Sequence, residues 1–232
     1  MGGLLRFTAW FVLLASVLVL VVLPLLLSPM LASTVRDMGL RSQTLNVSVA
    51  LFDPSLLLAR SRRVTVVAGG VDASPARIGH LELSLGDVSY FDRSFGTVTG
   101  ELRDVTVTLG SDILGASFVK VDGPAEAASL TARLTADQTE ALIRAAAGRS
   151  GVTVDSVRIA ESGVLVGIRG QQGEARISVR GGALLLEPQS GGVVLLVQSE
   201  PSDPWTLRES WISDRGLNIA GTVDMRRLVR EL

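Results

Sequence analysis

The sequence predicts an α+β fold that is predominantly antiparallel, with a long curved β-sheet wrapped around one or two helices like a tube. Many stretches alternate apolar and polar residues with the period of two that is typical of half-buried strands. Only two stretches have helical patterning, and strands precede and follow them without regular βαβ alternation, which argues against a doubly wound sheet. Hydrophobic residues make up 47% of the chain and aromatic residues only 4%, so we expect an aliphatic core.

The composition excludes several classes of function. The chain has 232 residues, a formal net charge of −1, one histidine and no cysteine. A charge so close to zero argues against a general attraction to nucleic acid or to an anionic membrane. The lack of cysteine excludes disulfides, thiolate metal sites and cysteine nucleophiles. The sequence contains no nucleophile elbow, P-loop or dinucleotide-binding glycine pattern, and we expect neither a cofactor nor a metal.

The N-terminal part of the chain predicts a membrane anchor. After a short tail (1–6), residues 7–27 are nearly all apolar and carry no charge, which matches the roughly 20 residues that cross a bilayer as a helix. Residues 28–43 then predict a stalk, and 44–232 a single β-rich domain on the extracytoplasmic side of the plasma membrane. The alternative is a cleaved signal peptide, although this apolar run is longer than the usual core of such peptides.

Strand patterns recur through the domain, beginning at 45–49. Period-2 alternation or short apolar runs predict further strands at 64–66, 81–85, 105–109, 130–134, 152–159, 164–169, 175–180, 183–187, 193–198 and 217–223. Gly69-Gly70 is predicted to be a turn between two of them. Two segments, 86–89 and 103–106, share an Asp-Val pair, which indicates either similar hairpins or an internal repeat.

Two helices are predicted. Asp53 and Pro54 have the residue types of an N-cap and first helical position, and they precede the apolar Leu56 and Leu57. The second helix begins after Thr135, which has capping-box spacing to Gln138, and it ends near Gly148. Leu142 and Ile143 form its apolar stripe. These two helices are the elements available to cover the apolar strands.

Candidate catalytic residues are few. His80, the only histidine, is expected to be an ordinary polar residue at a strand end. Glu200 and Asp203 lie close together in sequence, but a solvated loop explains such a pair at least as well as an acid–base site. We therefore expect a binding protein and not an enzyme.

The aliphatic strands leave two interpretations open. Some stretches, such as 183–186 and 193–197, are apolar on both faces. A long sheet that closes around a helix can enclose an aliphatic groove, and such a groove binds lipid tails by burying area without directional contacts. The same patterns also fit an ordinary packed core. The second interpretation gives a structural or scaffolding protein of the envelope.

Three stretches of the domain carry motifs of a known family. LFDPSLLLAR at 51–60 leads into RVTV at 63–66 and Gly-Val at 70–71. LRDV at 102–105 follows an L-x-D-V pattern, and WISDRGLNI at 211–219 follows a D-x-G-L-x-V pattern. Together these stretches resemble the LmeA-like phospholipid-binding family of actinobacterial envelope proteins, formerly a domain of unknown function.

The resemblance implies a lipid-binding domain at the outer side of the plasma membrane, with a role in mannolipid or other envelope-lipid metabolism. Its partners would be phospholipid or glycolipid and the membrane itself. From amphipathic spacing, we expect helix side chains to line the groove: Leu56, Leu57, Leu142 and Ile143. From their placement in predicted loops, we expect three aromatic side chains near the mouth of the groove or the membrane surface: Phe91, Phe95 and Trp205.

Overall fold

A computed structural model describes residues 42–49, 55, 58–73, 76–92, 94–109, 112–160, 163–189 and 192–227. The predicted tail, the predicted anchor at 7–27, nearly all of the predicted stalk, and Leu56 and Leu57 lie outside these residues. Within the described ranges, no helix is both long enough and apolar enough to cross a membrane.

The larger of two antiparallel sheets has eight strands in the order β1-β2-β3-β4-β5-β6-β13-β12. Its first six strands follow one another as a meander, because each is hydrogen-bonded to the next in sequence. Their bounds are β1 Thr44–Val49, β2 Arg60–Ala73, β3 Ala76–Ser89, β4 Thr97–Leu109, β5 Asp112–Pro124 and β6 Ala128–Leu134. The last hairpin, β12 Trp205–Ser213 and β13 Gly216–Val223, returns to pair with β6.

The smaller sheet has five strands in the order β11-β10-β9-β8-β7. The strands are β7 Ser156–Ala160, β8 Gly163–Ile168, β9 Gln171–Arg180, β10 Ala183–Pro188 and β11 Val194–Gln198. Helix α1, Ala136–Arg149, precedes this sheet in the chain and contacts strands of both sheets: β5, β6 and β13 of the larger one, and β7 and β11 of the smaller one. The predicted antiparallel, sheet-dominated α+β fold is therefore confirmed.

Local sequence explains why α1 begins and ends where it does. Thr135 Oγ1 accepts a hydrogen bond from the Gln138 backbone N–H at 3.2 Å, and Gln138 Oε1 accepts one from the Thr135 N–H at 2.9 Å. This is the predicted capping box. The helix ends at Arg149, one residue after the predicted stop, and Gly151 follows with a positive φ of 72°. A glycine in this conformation commonly ends a helix.

Two long strands of the larger sheet, β2 and β4, have a left-handed residue on one line that crosses the sheet. Gly70 of β2 and Asp104 of β4 have φ angles of 59° and 53°, and Gly79 of β3 lies between them in the pairing register. The strands stay in register across this line, so no residue is inserted. The predicted turn at Gly69-Gly70 is thus wrong, because Gly70 provides a kink inside a continuous strand.

Apolar residues are spaced three apart, instead of two, where they flank this line. The pairs are Ala68 and Val71, Ile78 and Leu81, Leu102 and Val105, and Ala116 and Val119. A left-handed residue interrupts the alternation of side chains in a strand. In β2 and β4, which contain such a residue, we infer that the wider spacing keeps apolar side chains on one face on both sides of the kink.

The buried residues form three clusters. The largest joins α1 to both sheets and contains Ile143, Leu184 and Leu217, each 0% exposed. A second cluster lies around Phe95, Val98 and Val223, and a third around the β1–β2 pair. Along β6 and β13, the first cluster lies at Leu134 and Leu217 and the second at Ala128 and Val223, which are the opposite ends of these two strands.

Candidate functional site

The candidate site is a row of apolar residues that crosses seven strands of the larger sheet. Each member lies directly opposite the next in the pairing register, from β1 through β6 to β13. We call these residues the central row: Leu45, Ala68, Leu81, Leu102, Val119, Ala132 and Ile219. Directly opposed side chains on one face of a sheet are neighbours, so the central row is a continuous apolar strip.

The central row is less covered than the most deeply buried apolar residues on either side of it. All of its members except Ala68 are half-buried. By contrast, Val98, four residues before Leu102 in β4, is fully buried. Leu217, two residues before Ile219 in β13, is also fully buried and lies on the side of α1. The central row is nevertheless partly covered, because Leu102 and Val119 pack against the cluster around Phe95 and Val98, and Ile219 packs against the cluster around α1.

The opposite face of the same strands is polar. Glu82, Glu101, Lys120 and Thr131 form a row in register across β3 to β6. An ion pair joins neighbours on this face, with 3.4 Å between Arg103 Nη2 and Glu101 Oε2. The middle of the sheet is therefore amphipathic, with charged groups on one side and aliphatic groups on the other.

The chemistry available on the central row is burial of apolar area. Aliphatic side chains offer no hydrogen-bond donor or acceptor and no charge, so this strip cannot recognise a polar group. Burial of apolar surface contributes roughly 25 cal/mol per Å², whatever the shape of the apolar partner. The strip is suited to a long apolar ligand.

The structure places the predicted helix residues inside the packed core. Leu142 is 3% exposed and Ile143 0% exposed, and both belong to the cluster that joins α1 to the two sheets. Each contributes to packing between layers. Their predicted role in lining a groove stays a prediction, as does that of Leu56 and Leu57, which lie outside the described residues.

The predicted aromatic residues occupy three different environments. Phe91 lies in a turn and is 82% exposed, which matches the expected loop position. Phe95 also lies in the connection between β3 and β4, but it is 7% exposed and packs with Val98, and its predicted place near the groove mouth stays a prediction. Trp205 is not in a loop, since it begins β12, and it packs against two of the clusters.

Sequence reasoning found most strands of the central row, but it missed β5, which carries Val119, and it did not find the row itself. Leu81 and Ala132 lie in stretches whose alternation predicted strands, whereas Leu102 precedes the strand predicted at 105–109. Which strands pair, and in which register, is decided by contacts between distant parts of the chain. The only signal for the row in the sequence was that Leu or Val recurs at corresponding positions of successive hairpins.

The described residues include Glu200 and Asp203, the two carboxylates that were considered as an acid–base pair. Asp203 Oδ2 accepts a hydrogen bond from the Glu200 backbone N–H at 2.8 Å, so these two residues stabilise a local turn. No group of three His, Cys, Asp or Glu side chains in the described part of the chain is arranged to hold a metal ion. His80 is half-buried in β3, opposite Arg103.

Comparison with known proteins leaves the family open. No family model, curated protein or solved structure matches this chain. The resemblance to the LmeA-like family therefore depends on the motifs quoted above and stays a prediction.

Proposed function

We propose that this protein is a membrane-anchored, extracytoplasmic phospholipid-binding protein that holds or transfers lipid in envelope lipid metabolism. The observation that supports this most directly is the central row, an apolar strip that crosses seven strands and is half-buried at six of its seven positions. The acyl chain of a lipid lies along this strip. The protein binds its ligand and does not transform it.

The energetics favour an acyl chain as the occupant. Full burial of a Leu or Val side chain contributes about 1.5–3 kcal/mol relative to exposure. Leu81, Leu102 and Val119 already have part of their surface covered by neighbouring strands, so each gains a fraction of that value. Several such contributions in a row give useful affinity without any directional contact.

The location follows from the N-terminal sequence. The apolar segment 7–27 anchors the chain, and the stalk 28–43 leads to the domain. The motif resemblance favours the extracytoplasmic side. A lipid carrier at this position takes its ligand directly from the membrane that holds it.

Native mass spectrometry of the full-length chain, released from a mild detergent micelle, tests the proposal. We expect a bound mass that equals a phospholipid, identified by extraction. The Leu102→Glu variant places a carboxylate in the central row and loses this mass. Arg103→Glu, one residue along on the polar face, is the matched control and retains it.

Two results would count against lipid binding on the central row. One is a wild-type chain without bound lipid, even after incubation with phospholipid vesicles. The other is full retention of lipid by Leu102→Glu. Circular dichroism verifies that the variant is folded, and Leu102→Ser offers a milder polar substitution at the same place.

A scaffolding role is the second candidate, and the packing around α1 favours it. Ile143, Leu184 and Leu217 are fully buried in a continuous cluster that joins the two sheets. A solid core of this kind needs no ligand. A chain that stays free of lipid in the experiment above supports the scaffold instead.

A further inference from the structure

Two exposed apolar side chains lie on neighbouring chain segments at one end of the larger sheet. Leu58 is 71% exposed and Phe91 82% exposed, which makes them the most exposed large hydrophobic residues that the described ranges contain. A backbone hydrogen bond of 3.0 Å from Tyr90 N–H to the Ala59 carbonyl holds their chain segments side by side. Large apolar side chains in this position indicate a surface that contacts something apolar.

Arginine residues flank this pair. The segment 60–63 has the sequence Arg-Ser-Arg-Arg, and all three arginine residues are exposed. Arg60 and Arg62, together with Arg226, also line an open pocket of about 540 Å³ at the same end of the sheet. Of the two carboxylates in that pocket, Asp92 accepts a hydrogen bond of 2.9 Å from Ser89 Oγ. Apolar side chains beside guanidinium groups are the combination that inserts into a bilayer next to lipid phosphates.

The exposed pair is continuous with the apolar face. Val88 and Tyr90, just before Phe91, pack with the β1–β2 cluster. Val88 also packs with the cluster around Phe95 and Val98. We call the end of the sheet that carries Leu58 and Phe91 the tip. The apolar side chains thus extend from the tip along the face that carries the central row.

The chain is long enough for this tip to reach the bilayer. Thr44, at the start of β1, pairs with Gly69. Arg60 lies roughly 30 Å from Gly69 toward the start of β2, at about 3.3 Å per residue. The stalk 28–43 spans at most about 55 Å when fully extended. A domain tethered there can turn this tip back toward the membrane.

We propose that Leu58 and Phe91, with Arg60 and Arg62, form the surface by which the domain docks on an anionic phospholipid bilayer. The two apolar side chains enter the outermost acyl region, and the guanidinium groups contact lipid phosphates. This inference builds on the proposed function, because it names the place where lipid passes between the membrane and the apolar face.

The lack of cysteine in the chain gives a direct test. A single Leu58→Cys substitution, labelled with the environment-sensitive fluorophore NBD, reports on the tip of the full-length chain in vesicles of phosphatidylcholine and phosphatidylglycerol. We expect blue-shifted, brighter emission that spin-labelled lipid quenches. Trp211→Cys, labelled in the same way at another exposed apolar position (43% exposed), is the control and keeps a water-like spectrum.

Further substitutions separate docking from lipid binding. Two variants of the labelled chain are compared: Phe91→Ser, and the double variant Arg60→Glu with Arg62→Glu. In each, we expect the emission of the label at position 58 to shift back toward that of the label in water. Water-like emission at position 58 in the otherwise unchanged chain overturns the docking surface, even where mass spectrometry finds bound lipid. Membrane-like emission in a chain that retains no lipid supports the surface and contradicts the carrier function.

Discussion

Asp104 and Gly79 face each other across β4 and β3, and the conformation of one requires the small size of the other. The backbone of Asp104 has a φ of 53°, which short polar side chains tolerate better than most. A Cβ atom added at Gly79 would lie 2.9 Å from the Asp104 Cβ, closer than real Cβ atoms approach. The kink across the sheet therefore depends on this pair.

A double-mutant cycle on the pair tests that dependence. Gly79→Ala should lower the free energy of unfolding by about 1–3 kcal/mol, because the new methyl group overlaps the Asp104 side chain. Asp104→Gly alone should be close to neutral, since glycine adopts a positive φ without strain. The double variant should recover much of the loss, giving a coupling energy of about 0.5–3 kcal/mol. Chemical denaturation followed by circular dichroism measures all four proteins, and strictly additive costs would contradict the contact.

The conformation of Asp104 also bears on two similar segments of the sequence. Asp87-Val88 and Asp104-Val105 were recognisable as similar segments, with hairpins or a repeat as the explanation. Asp87 has a φ of 52°, close to the 53° of Asp104. In both segments the Asp kinks the strand, and the Val follows it. The two similar segments thus share a backbone conformation at their Asp residues, which residue type alone did not reveal.

Locally encoded features were predicted best. The helix 136–149 was found because its capping box lies within four consecutive residues, Thr135 to Gln138. β12 was missed, because WTLRESWIS at 205–213 has weak alternation and a register irregularity near Leu207. The exposure of Phe95 and the partial opening of the central row depend on packing between distant segments, which a single sequence does not specify.

The capping box of α1 is a second point for measurement. Thr135→Ala removes the hydroxyl that accepts from the Gln138 N–H, and it should destabilise the protein by about 0.5–2 kcal/mol. Thr135→Ser keeps that oxygen and should cost much less. The two variants are compared by their denaturation midpoints. Equal losses would show that the methyl group of Thr135, and not its hydroxyl, matters.

The core position of Ile143 gives a third prediction. This side chain is fully buried between the sheets, so Ile143→Ala should cost about 2–5 kcal/mol. For the same reason Leu142→Asp should unfold the domain, since it buries a carboxylate in an apolar cluster. Ala141→Ser, on the exposed side of the helix, should change stability by less than about 0.5 kcal/mol. A folded and stable Leu142→Asp variant would mean that this face of α1 is accessible, as a groove requires.

The partial opening of the central row predicts that its leucine residues contribute less to the stability of the free protein than those of the packed core. Leu184 is fully buried, so Leu184→Ala should cost about 2.7–5 kcal/mol, whereas Leu81→Ala should cost about 1 kcal/mol because Leu81 is only half-buried. Phospholipid that binds the folded state should raise the unfolding temperature of the wild type by mass action. The Leu81→Ala variant should gain less from the same lipid, and Leu184→Ala should gain as much as the wild type. Thermal unfolding with and without lipid, followed by circular dichroism, distinguishes these cases. Equal destabilisation by the two substitutions would show that the central row is as tightly packed as the core, and it would favour the scaffold over the carrier.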